Sequence, residues 1–138
     1  MTRTAWRLVS TGLLLASTAM AHSVAAPSRV VFRSETVTMN GEIIDPQCYF
    51  THNSRGTAHA SCATMCAKGG QGLAFLDDAS GVVYQLIAKK HGASQNEGVI
   101  PYIGKPVRVN GMIYHYGNNA VLRVTTITDR AAIAKRRK

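Results

Sequence analysis

Residues 35–45 read ETVTMNGEIID and residues 105–116 read KPVRVNGMIYHY. Both stretches alternate. In the first, Val37, Met39, Gly41 and Ile43 fall on one face, and Thr36, Thr38, Asn40 and Glu42 on the other. In the second, Val107, Val109 and Ile113 share a side. A period of two with β-branched residues predicts half-buried strands. Each stretch also carries an internal glycine, Gly41 or Gly111. Glycine inside a strand marks a sharp bend or a close backbone approach.

Working outward, Pro46 stops the first strand because it has no N–H for a ladder. The short apolar runs GLAFL (72–76) and VVYQLIA (82–88) flank Asp77-Asp78-Ala79-Ser80-Gly81, which reads as a hairpin turn. Residues 89–96 are polar and loop-like, and one helical turn is expected within 96–103. Gly117-Asn118-Asn119 reads as a tight turn into AVLRVTTIT (120–128), the last strand. The reading is mainly β: a small five-stranded Greek-key barrel of the OB type, spanning 35–128. An open sandwich of the same strands is the alternative.

The barrel is interrupted between its first two strands by residues 46–70, which hold all three cysteines of the chain. The spacing is C-x3-H-x6-H-x2-C-x3-C over Cys48, His52, His59, Cys62 and Cys66. The alanine-rich stretch AHASCATMCAK (58–68) ends at Gly69-Gly70 and predicts a helix, with Thr57 as its N-cap. On that helix His59, Cys62 and Cys66 stand one above another on a single face. Cys48, placed at the end of the first strand, can fold back over them.

Three thiols and an imidazole on one face suit zinc or copper, since both take sulfur and nitrogen donors. The predicted ligands are Cys48, His59, Cys62 and Cys66, with His52 as a substitute. Asp45 is a candidate partner for a ligand histidine, although an Asp before Pro is more often a turn residue. Paired C-x-x-C knuckles are absent, so the pattern is not that of common zinc modules. Two other readings stay open. Cys48 paired with Cys62 or Cys66 would make a disulfide that staples the insertion and leaves a spare thiol. Alternatively, Cys62, Cys66 and Ala58 are simply the apolar face of a short helix. The odd cysteine count fits a coordination sphere better than a disulfide set.

The ends of the chain differ from its body. Residues 1–21 combine Arg3 and Arg7, a short apolar stretch and Ala19-Met20-Ala21, the pattern of a cleaved signal peptide. The apolar run falls short of the ~20 residues a bilayer span needs, and no other stretch is long and apolar enough. Export to the periplasm or beyond is therefore expected, with residues 22–34 as a lead-in. The full chain carries +9, but the body from His22 to Asp129 carries only +2. Much of the excess lies in a C-terminal run, Arg130, Lys135, Arg136, Arg137 and Lys138, expected to be a disordered solvated tail. Such a run also suits an anionic membrane surface or another envelope partner.

A nearly balanced body argues against a nucleic-acid groove. Tyr84, Tyr102, Tyr114 and Tyr116 with Arg108 and Arg123 could form a base-stacking face, but export disfavours that use. Recognised catalytic patterns (G-x-S-x-G, a phosphate-binding glycine loop, H-E-x-x-H, C-x-x-C) are absent. The expected role is binding or accessory; the rival is a disulfide-stapled envelope interaction module.

The strings GEIIDPQC (41–48), HASCATMCAKGG (59–70) and GKPVRVNG (104–111) resemble small exported bacterial proteins of unassigned function. Those are built as OB-like barrels with a Cys/His insertion. The resemblance implies the same architecture and carries no activity with it.

Overall fold

The structure is a computed structural model that describes residues 31–136. Five strands close into a barrel in the order β1-β2-β3-β5-β4, with β4 returning to β1. They are β1 (Phe32–Ile44), β2 (Ala74–Asp77), β3 (Val83–Leu86), β4 (Pro106–Tyr116) and β5 (Asn119–Asp129). All neighbouring pairs are antiparallel except β3 with β5, the parallel contact that completes closure. This is the OB-like arrangement, and the open sandwich is set aside.

The long first strand organises the barrel. It pairs with β4 from Phe32↔Tyr116 to Glu42↔Pro106, and its last residues pair with β2 through Gly41↔Asp77 to Ile44↔Ala74. One strand can serve two sheets only if it bends. Gly41 lies where the two pairings overlap, and a Cβ there would run into the Leu76 carbonyl and the Phe75 ring. Gly111 plays the matching part on β4, beside a register shift against β5; a Cβ there would strike the Arg123 carbonyl. The alternation therefore delivers Val37, Met39, Ile43, Val107, Val109 and Ile113 to one core around the fully buried Phe75. Ile44, one residue out of phase, joins Ala74 and Leu76 in a second cluster that Tyr49 covers.

Three boundaries differ from the sequence expectation. The strand starts at Phe32, so the last residues of the expected lead-in are paired with β4. Residues 46–52 form a helix, α1 (Pro46–His52), where the expectation places Cys48 at the end of the first strand and no helix before residue 58. The basic C-terminal run begins as a short helix, α3 (Arg130–Arg136), and not as disordered tail. Asp129 opens α3 by accepting from the amides of Ala131 and Ala132, while Arg130 pairs with Asp78 at 2.8 Å. Residues 1–30, including the expected signal peptide, lie outside the described residues, as do Arg137 and Lys138.

The insertion's second helix, α2 (Ala60–Lys68), is tied to the barrel in two ways. Ala60, Ala63 and Ala67 pack against the core, Ala63 and Ala67 being buried. Their small side chains let the helix axis approach closely. Asn96, itself buried, then joins three segments: its Oδ1 accepts from the Leu73 amide at 3.0 Å, and its Nδ2 donates to the carbonyls of Ala67 and Gln71. This side chain joins the C-terminal end of α2 to the segment that enters β2. Ile100–Tyr102 form the expected helical turn before β4.

Two substitutions test this account. Asn96→Ala strands one buried amide and two carbonyls, and a loss of about 3 kcal/mol in urea unfolding is expected. Gly41→Ala meets backbone instead of a yielding side chain, and a loss of about 3 kcal/mol by the same measurement is expected.

Candidate metal centre

The sequence Asp45-Pro46 starts a helix as well as ending a strand. Asp45 stands at the N-cap with extended backbone, and its Oδ1 accepts from the amides of Gln47 (2.9 Å) and Cys48 (3.3 Å). Pro46 follows at the first helical position, where its missing N–H costs nothing. Cys48 is thereby placed in the first turn of α1, and not at the strand end. Asn53, left-handed at φ 52°, closes α1 with its amide on the Tyr49 carbonyl. The chain then turns through Gly56 into a 3₁₀ turn, Thr57–His59. Thr57 is not the cap of α2. His59 holds that position, and its side chain makes no capping hydrogen bond.

Because the alanines of α2 face the core, the residues one step earlier in sequence are turned about 100° away. Those residues are His59, Cys62 and Cys66, and each is half-buried. The reading that makes Cys62, Cys66 and Ala58 the helix's apolar face is therefore displaced: Ala60, Ala63 and Ala67 fill that role, and Ala58 is exposed.

One ligand atom each from Cys48, His59 and Cys62 lie within 4.8 Å of one another. A zinc-sized ion about 2.3 Å from sulfur and 2.0 Å from nitrogen holds its donors roughly 3.5–4 Å apart. The three donors thus lie within an ångström or so of that spread. Among the described residues this is the grouping of Cys, His, Asp and Glu side chains that converges so. The other expected ligands stand differently. Cys66 lies outside the convergent set, and His52, exposed as the last residue of α1, does not belong to it either. All three cysteines are free thiols, with none at bonding distance from another, so the stapling disulfide is not formed.

The polar surroundings are unsatisfied. Nε2 of His59 is buried without a hydrogen-bond partner, and so is Oδ2 of Asp45. Asp45 is 1% exposed, and both residues line a single small recess with Ala63 and Ile103. Buried polar atoms are nearly always paired, so these two orphaned atoms leave a local deficit of hydrogen bonds around the recess. The thiols feel the same carboxylate. Interaction with the Asp45 carboxylate, then burial, then the charges of Asp45, Cys62 and Cys48 push the Cys66 thiol up to about 11. Burial first, and Asp45 next, raise that of Cys48.

The other residues singled out in the sequence do not build a second site. Tyr84 and Tyr102 pack on the core, and Arg108 donates to Asn40. Only Tyr114 keeps an aromatic and cationic setting, stacked on Phe32 with the Arg123 guanidinium 4.8 Å from its ring centre. Asn96, which holds the end of α2 and so helps to orient its donors, was not legible because nothing in a polar loop marks which amide will turn inward.

No family model matches the chain, and no curated protein or solved structure matches it.

In metal-free protein, alkylation of Cys66 should rise with a midpoint near pH 11, and Asp45→Asn should bring it down towards the ordinary 9.0. A thiol whose ionisation is harder in the folded state stabilises that state below its unfolded value. That contribution should be lost between about pH 9 and 11.

Proposed function

We propose that this chain is an exported metal-binding accessory protein, with Cys48, His59 and Cys62 as the ligands of a zinc or copper ion. The single observation that supports this most is the convergence of those three donors within 4.8 Å. The buried Asp45 Oδ2, which lacks a hydrogen-bond partner and belongs to a carboxylate close enough to the Cys48 thiol to raise it, supports it further. Two thiolates and an imidazole bind an ion by replacing its water with soft donors. A fourth position is left for solvent, or for Cys66 after a change of rotamer. Asp45 sets the reach of Cys48 through the α1 cap and supplies negative charge nearby. The role is binding without catalysis, in the periplasm or outside the cell, as the N-terminal pattern of the sequence suggests. The basic run is the surface assigned to an anionic envelope partner. Arg130 is already engaged by Asp78, so Lys135 and Arg136, with Arg137 and Lys138 beyond them, carry that contact.

The test is metal content and thiol count on the same sample of reduced, purified protein. One ion per chain is expected. Cys62→Ser should lower affinity by about 100-fold or more, and Arg136→Ala should leave it unchanged. Full thiol accessibility with no retained metal, in protein confirmed as folded, overturns the reading.

A further inference from the structure

The converging set is incomplete in a particular way. A structural zinc site is closed by four protein donors. Here three donors meet, and among the described residues no fourth Cys, His, Asp or Glu lies within 4.8 Å of all of them. What stands nearby is sulfur. Cys66 follows Cys62 by one helical turn on the same side of α2, and it too is half-buried. Met65, between them in sequence, holds its thioether out in solvent at 69% exposure. All three converging residues are half-buried, and the Nε2 of His59 is itself covered.

Thiolate and thioether donors select soft monovalent copper. A filled d-shell ion of that charge is content with two or three ligands, which is the number that converges. A surplus thiol beside a complete three-donor set adds nothing to static binding. It has a use in ligand exchange, where an entering donor attaches before a leaving donor lets go.

We propose that the site carries copper(I) as exchangeable cargo, held by Cys48, His59 and Cys62, with Cys66 as the entering ligand through which the ion arrives and departs. This deepens the metal-binding reading and rests on it. In the exchange a bond forms between copper and the Cys66 sulfur and the bond to one of the two resident thiolates, Cys48 or Cys62, breaks. The entering thiol gives its proton to solvent, the released donor takes one up, and no electron moves.

The experiment loads the reduced full chain with copper(I) from a chromophoric copper(I) chelator, in competition with equimolar zinc. Stopped-flow absorbance then follows transfer back to a stronger chelator. Copper(I) should be retained at one per chain and zinc displaced. Cys66→Ser should slow transfer by about tenfold while lowering affinity by less. X-ray absorption on the loaded protein should show two sulfurs and one nitrogen. Zinc retained in preference to copper(I) overturns the cargo assignment while leaving the metal-binding reading standing. Equal loss of rate and affinity in Cys66→Ser makes Cys66 an ordinary ligand and overturns its exchange role, as does an unchanged transfer rate. Cys66→Ala, checked by circular dichroism, repeats the measurement should the serine variant misfold. Binding of neither metal overturns the underlying function as well.

Discussion

A carboxylate taken out of water constrains the geometry of the whole insertion. Asp45 is buried at the point where β1 ends. Removing a carboxylate from water costs several kcal/mol unless hydrogen bonds or opposite charge replace the solvent. Oδ1 recovers part of this from two amides of α1, and so fixes where that helix begins and which way it leaves the barrel. Oδ2 has no well-aligned hydrogen bond, its nearest help being the weakly donating thiols of Cys66 and Cys48. The uncompensated half of the carboxylate faces a region where thiols and an imidazole collect, and a cation is the economical answer to that imbalance.

The second helix reaches the same place by different means. Its alanines allow it to lie tightly on the core, and Asn96 holds its end by hydrogen bonds that no solvent can replace in a buried setting. With one face of α2 used for packing, rotation about its axis is no longer free. His59 and Cys62 are consequently aimed together, and Cys66 lies one turn further on. Hydrophobic packing, not metal, sets the orientation of the donors. Metal-free protein should therefore keep its barrel, unlike small modules whose only core is the ion.

The strands were legible because each is long enough for a period of two to show, and because Gly41 and Gly111 interrupt it where bends are needed. The Cys/His segment was legible as a cluster but not as geometry. Asp45-Pro46 was taken for a turn, yet the same pair is a helix start when the following residues can be helical. His52 has the right chemistry, but the first helix ends there with the side chain in solvent. Cys66 shares the predicted face, but a stripe on a helix extends over several ångströms per turn. Being on the face is not the same as reaching one point. The C-terminal charges looked like a solvated run, whereas Asp129 starts a helix from them by a local cap.

What the sequence by itself determined is the barrel, since alternation and bend glycines are local properties that survive without knowledge of neighbours. It also determined the chemistry available, because donor types are written in residue identity. Only the tertiary structure decided which donors meet. Convergence depends on the angle at which α1 leaves β1 and on the face of α2 that the core claims. The first is set by Asp45, a local cap whose burial only the fold reveals, and the second by buried groups more than ten residues away in the chain, whose contacts no local pattern encodes.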